Sequence, residues 1–278
     1  MTVGERERAA ATVRSDQDRP TPAWLIVAGR EGRDLWIGGR GPLLIFAFSL
    51  LLSAVTYLLA TNKVLNYLEQ RESVNLTLQV AVSVGVLVTM VLGADAISGE
   101  RERATLETLL LTPAPRRQIA VGKLLAALSL WFAAFLVAVP YVWVLGRGVS
   151  VVVPALLLGL LVGTVLAVGL TALGLVVSGL AGSNRVSLAG SLFLLLALFA
   201  PTQLPAGARQ GWLGDLLVRL NPVGSGLHYL GAVVVDGHRW TRDVSYLISP
   251  ALAAVLAGTV LLVGADRLLR LERGGSVG

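Results

Sequence analysis

The apolar positions of this chain gather into long unbroken runs, not into the short alternations that give a soluble domain its half-buried strands and helices. A hydrocarbon layer about 30 Å thick is crossed by roughly 20 helical residues. Six segments reach that length: about 42–60, 76–98, 124–145, 151–180, 186–204 and 246–265. The fourth exceeds what a perpendicular crossing needs, so tilt, or a bend near Pro154 or its glycines, is expected. Two further apolar stretches do not span. Residues 22–39 carry Trp24 and Trp36 beside Arg30 and Arg33, the pattern of a helix lying along a membrane surface. Residues 212–237 contain an apolar run of only 13 residues, 223–235, and are broken at Asn221-Pro222. They predict two short helices dipping into one leaflet, because proline and the residue before it stop a helix.

Charge then orients the spans. The chain has 23 Lys and Arg, and 16 of them fall before the first span, between spans two and three, between four and five, and after the sixth. Those four regions share one side. By the excess of basic residues in cytoplasmic loops, both termini and the loop at 99–123 are expected in the cytoplasm of a cell-membrane protein. Residues 1–21 and 271–278 read as cytoplasmic tails on either side of a single membrane domain, 22–270; the N-terminal tail is polar and reads as disordered. Nothing in it resembles a secretory signal.

Composition agrees. The chain has 278 residues, 55% hydrophobic and 14% charged, and the mean hydropathy is +0.74. The net charge of +6 is explained by sidedness, and no nucleic-acid motif accompanies it. Cysteine is absent, so disulfides and thiolate chemistry are excluded. The sequence contains no GxxxxGK[ST] loop, GxSxG elbow or HExxH pair. No catalytic, metal or cofactor-binding residue is therefore assigned. The spans carry no charge at mid-depth; Asp95 and Lys123 stand near the cytoplasmic ends, where a lysine can snorkel and an acid can stay wet.

Within the membrane domain, Gly159 and Gly163 form GxxxG, and Gly174 with Ser178 repeats the small-xxx-small spacing. Both patterns are candidates for close helix packing. The densest polar stretch, "ISGERERATLETLLLTPAPRRQIAVGK" at 97–123, separates spans two and three. Projected on one helix, Leu106, Leu109 and Leu110 share a face, while Glu100, Arg103 and Glu107 share a neighbouring one. Pro113 and Pro115 end that helix. The expectation is a rigid amphipathic helix with leucines toward the membrane domain and charges of both signs toward water. Such a surface suits a soluble partner, and it also suits plain solvation.

The run "ERERATLETLLLTPAPRRQIAVGKLLA" resembles the stretch after the second span in permeases of type-2 ABC exporters, and "LNPVGSGLHYLGAVVVDG" is similar to their Asn-Pro hairpin. The resemblance covers about 22–270. It implies an all-α membrane protein of six spans, with an N-terminal elbow helix, a coupling helix between spans two and three, and a short outer re-entrant hairpin before span six. It also implies a non-catalytic transport subunit, with ATP and Mg bound by a separate ATPase chain. The ATPase contact would be Glu100, Arg101, Glu102, Arg103, Thr105, Leu106, Glu107, Thr108, Leu109 and Leu110. A second permease chain, identical or paralogous, and membrane lipid would complete the partners; nucleic acid would not be one. An ATP-independent carrier or channel, and a membrane scaffold, remain the other readings of the residues themselves. The cargo is not legible.

Overall fold

A computed structural model of the chain describes residues 22–61, 67–107, 111, 113–203 and 211–269. The expected tails at 1–21 and 271–278 lie outside the described residues. Among those residues every regular element is helical. In chain order they are α1 (Ala23–Ile37), α2 (Arg40–Thr61), α3 (Tyr67–Asp95), α4 (Ser98–Glu102), α5 (Arg116–Leu145), α6 (Val152–Leu180), α7 (Asn184–Phe199), α8 (Trp212–Leu220), α9 (Pro222–Val234) and α10 (Ile248–Leu268). Six helical stretches are long and apolar enough to cross a membrane: Arg40–Thr61, Gln70–Glu102, Arg116–Leu145, Val152–Leu180, Asn184–Gln203 and Val244–Leu268. The protein is a multi-pass membrane protein.

Local chemistry sets where several helices begin. Pro115 precedes α5 in an extended conformation that admits no earlier helical turn. The Ser183 hydroxyl accepts from the Val186 N–H at 3.3 Å and caps α7. At α9, the Asn221 side chain accepts from the Gly224 N–H at 2.9 Å, with Pro222 in the first turn, where its missing donor costs nothing. Pro154, one of the places where a bend was expected, lies in the first turn of α6, so no helical bond is lost there, and α6 runs unbroken for 29 residues.

The core is built on α3, α5 and α6. Glycine permits the closest approaches. A Cβ on Gly93 of α3 would lie 2.7 Å from the Thr171 carbonyl oxygen of α6, and one on Gly174 would strike the Met90 carbonyl from the other side. Gly159 receives Leu78, whose side chain would be 2.6 Å from an added Cβ, and Gly163 receives the Trp131 ring. Trp131 is fully buried and donates its indole N–H to Thr164 at 3.0 Å. Burial separates centre from rim. In the most apolar window of α6, 61% of residues are buried, against 11% for α2 and 17% for the spans built on α7 and α10. The last three therefore present broad apolar faces outward.

The end of the bundle that holds α1, the α3–α5 connection and the close of α10 is here the basal end; α8 and α9 lie at the opposite end. α9 is buried along most of its length against α3 and α6. Its Tyr229 hydroxyl donates to the Trp240 carbonyl at 2.8 Å, and burial pushes that phenol's pKa upward, which keeps it a donor. α8 meets α9 at Asn221, whose amide N–H also donates to the Leu198 carbonyl at 2.7 Å. α1 lies along the first half of α5. Val27 fills the space over Gly122, 2.6 Å from where a Cβ would stand, and Trp36 donates to Ser129 at 3.1 Å.

Candidate functional site: the α3–α5 connection

The polar stretch between spans two and three is anchored at the basal end by side chains reaching several helices. After Asp95 the chain turns at Ala96 and Ile97 and enters the five-residue α4. The Ser178 hydroxyl of α6 accepts from the backbone N–H groups of Ile97 and Ser98 at 3.1 and 2.9 Å. It thereby satisfies two donors at a helix start that would otherwise be orphaned. The Ser98 hydroxyl in turn donates to the Ala94 carbonyl and meets Asn184 of α7 at 3.0 Å.

The ERER tetrad then fans out. Glu100 pairs with Lys123 of α5 at 2.7 Å, and Lys123 also pairs with Glu31 of α1 at 2.9 Å. The Lys123 side chain is only 1% exposed, so the ammonium is neutralised inside the protein. This corrects the sequence expectation of a snorkelling lysine. The charge is stable there because two carboxylates from other elements enclose it. One Glu100 oxygen is buried without a partner, so the triad is incompletely satisfied. Arg101 donates to the carbonyls of Ala181 at 2.7 Å, Gly179 at 3.4 Å and Leu268 at 3.5 Å. A cation thus sits on the carbonyl-rich C-terminal ends of α6 and α10, where helix dipoles favour it. Glu102 accepts from the Asn184 N–H at 2.8 Å, the complementary arrangement of an anion at the start of α7.

The expected single helix over 100–111 is interrupted. Arg103 to Thr105 are not helical, and Ala104 has φ +55. The Thr105 N–H bonds the Glu100 carbonyl at 3.0 Å and the Ala104 N–H bonds the Arg101 carbonyl at 3.2 Å. That pair of bonds is the Schellman termination, with alanine at the left-handed position that glycine usually takes. Alanine propensity argued for continuation; the anchors on either side of Ala104 override it. Before it, Arg101 and Glu102 are committed to other helices. After it, Leu106 is fully buried beside Ile97 and Ile119, and with Glu107 it resumes helical geometry. Thr108, Leu109 and Leu110 lie outside the described residues.

The charges of this stretch consequently divide. Glu100 faces inward, and Arg101 is half-buried under the helix ends. Glu102, Arg103, Thr105 and Glu107 are exposed, as is Leu111. Arg103 reaches back to Asp95 at 3.4 Å, a carboxylate that also accepts from Arg40 at 3.4 Å and Asn184 at 2.8 Å. A cavity of about 320 Å³ opens between α1 and this connection, lined by Arg30, Glu31, Asp34, Asp95, Glu100 and Arg103 among others. The arrangement offers no nucleophile–base pair; it ties the turn at residues 103–107, through Glu100, Arg101 and Glu102, to α5, α6, α7 and α10, and through Lys123 to α1.

Comparison with known families decides what kind of protein carries this arrangement. The family model described as ABC-2 family transporter protein matches residues 43–263, which include the α3–α5 connection and the α8–α9 hairpin. The chain belongs to the ABC-2 transporter family. It is a permease, the membrane component of an ABC transporter, and its family implies association with an ABC ATPase. Comparison with curated proteins returns no match. Of the permease's remaining small residues, Gly159, Gly163, Gly174 and Ser178 all lie on α6 against α3, α5 or the α3–α4 turn. What sequence reasoning missed is the role of Arg101 and Glu102 as anchors of helix ends. Their partners are about 80 residues away or more, and no local sequence signal points to them.

Proposed function

We propose that this permease moves its cargo out of the cell by coupling to ATP hydrolysis in a separate ATPase chain. The basal end is cytoplasmic, in line with the basic residues there, and both termini lie on that side. Two permease chains, identical or paralogous, pair with two ATPase subunits and share the surrounding lipid; ATP and Mg are held by the partner. The observation that carries this reading is the exposed segment Arg103, Thr105 and Glu107, fixed on a terminated turn whose preceding residues grip five helices. Thr108 to Leu110 continue the contact. Exposed charges of both signs give such a docking surface specificity and salt sensitivity. Glu100 belongs to the transmission and not to the contact, because its carboxylate faces inward, with one oxygen on Lys123.

The test is the triple substitution Arg103→Ala, Thr105→Ala, Glu107→Ala in the permease co-expressed with its ATPase. The expected result is loss of co-purification or of cargo-stimulated ATP turnover, with an unchanged unfolding temperature for the permease alone. Full assembly together with full stimulated turnover would overturn the reading.

A further inference from the structure

The cavity of about 320 Å³ between α1 and the α3–α5 connection is lined by two charge clusters that the ion pairs described above leave incomplete. The first is cationic. Arg40 of α2 and Arg103 of the connection each reach the same oxygen of Asp95 at 3.4 Å, a long contact for a charge-assisted bond. Their two nitrogens are therefore no more than about 7 Å apart, a gap that one phosphate group spans with a hydrogen bond at each end. Asp95 does not depend on either guanidinium, because the Asn184 amide donates to its other oxygen at 2.8 Å. Arg30 of α1 lines the same cavity and makes no ion pair among the described residues.

The second cluster is anionic. Glu31 and Glu100 share the single ammonium of Lys123, at 2.9 and 2.7 Å. The other oxygen of Glu100 is buried without a partner. A charged acceptor left unmatched in the interior is costly, so that oxygen calls for a donor. The terminal torsion of a glutamate is soft, and turning it presents the oxygen to the cavity that Glu100 lines. Asp34 adds a further carboxylate to the lining. A bare anion is repelled by these carboxylates and a bare cation by the arginines, so the matching ligand carries both charges.

Depth says where such a ligand comes from. Ala126 and Ala127 line the cavity just inside the apolar run of α5 that begins at Leu124, and Leu35 and Leu92 line it too. The cavity therefore stands where hydrocarbon meets headgroups. We propose that it binds the headgroup of phosphatidylethanolamine, with the phosphate between Arg40 and Arg103 and the ammonium on the free oxygen of Glu100. The bound lipid joins α2 to the turn at 103–107 along the membrane surface. Only its assignment to the cytoplasmic leaflet rests on the sidedness proposed above; binding is a property of the permease alone.

In the experiment, purified full-length permease is stripped of lipid in dodecyl maltoside, without any ATPase. It is titrated with dioleoyl phosphatidylethanolamine, phosphatidylcholine and phosphatidylglycerol, and bound lipid is counted by native mass spectrometry. One phosphatidylethanolamine is expected to bind about tenfold more tightly than phosphatidylcholine, whose methylated ammonium donates no hydrogen bond. Phosphatidylglycerol, which lacks the cation, should also bind more weakly. Arg40→Gln with Arg103→Gln should weaken all three lipids, because all three carry the phosphate. Glu100→Gln should erase most of the preference for phosphatidylethanolamine; a parallel loss of all three lipids in that variant overturns the placing of the ammonium. Equal binding of the three lipids to the wild type, or a preference unchanged in both variants, overturns the proposal. The wild-type preference is decisive even where a variant fails to fold. Displacement of the lipid by an equal concentration of O-phosphoethanolamine overturns its assignment to a lipid. None of these readouts depends on export or on an ATPase, so a failure of the coupling reading leaves them intact.

Discussion

Lys123 provides the sharpest quantitative test of how the basal end is held together. Its ammonium lies 2.9 Å from Glu31 and 2.7 Å from Glu100, and its side chain is 1% exposed. Replacing it with methionine keeps most of the volume and removes the cation, leaving two carboxylates facing each other. Their oxygens are at most about 6 Å apart by these distances, so they repel by roughly 3 kcal/mol at an effective dielectric constant near 20. The low-dielectric limit is unsuitable, because the two side chains retain 21% and 16% exposure. Breaking a buried ion pair by removing one partner costs about 3–5 kcal/mol on mutational grounds, in agreement with this figure. The triple variant Lys123→Met, Glu31→Gln, Glu100→Gln removes all three charges and should recover most of that loss, since neutral groups of similar volume are tolerated where a lone charge is not. The assay is unfolding followed by tryptophan fluorescence in neutral detergent, at one scan rate because membrane proteins often unfold irreversibly. The order of unfolding temperatures is expected to be wild type, then the triple variant close to it, then Lys123→Met well below. If Lys123→Met unfolds with the wild type, or if the triple variant is no better than Lys123→Met, the triad does not tie α1 to α4 and α5 as described.

Two further outcomes follow from backbone geometry. Ala104 at φ +55 carries a left-handed penalty of about 1–2 kcal/mol that glycine avoids, less the roughly 0.5–1 kcal/mol of extra chain entropy that glycine loses on folding. Ala104→Gly should therefore raise the unfolding temperature slightly, Ala104→Val should lower it, and the reverse order would disprove the Schellman termination. A Cβ on Gly174 strikes the Met90 backbone, which cannot rotate away, whereas one on Gly190 finds only Val177 at 3.7 Å. Gly174→Ala is expected to destabilise by about 1–3 kcal/mol through overpacking, and Gly190→Ala to gain about 0.4–1 kcal/mol. Equal effects in one unfolding assay would mean that α3 and α6 are not in contact through Gly174.

The sequence made visible what depends on composition along one helix. Six apolar runs of membrane length correspond to six spanning helices, and the Asn221-Pro222 break separates α8 from α9, because length and proline act locally. What it hid depends on partners far along the chain. Nothing near Lys123 announces that Glu31, 92 residues earlier, will neutralise it, so an isolated lysine at a span end reads as a wet one. Nothing near Ala104 announces a left-handed residue, because alanine and the glutamates and arginines before it favour continuation. The cause lies in Arg101, Glu102 and Leu106, each drawn to a different neighbour. The same four residues, Glu100 to Arg103, were legible as charge and illegible as structure. Three of them anchor helices, and only Arg103 pairs with a carboxylate from its own hairpin side while remaining exposed. A segment built this way cannot bend independently of the bundle. If residues 103–107 move, the ion pair at Lys123 and the carbonyls under Arg101 must move with them or break, and the proposed docking of an ATPase requires that linkage.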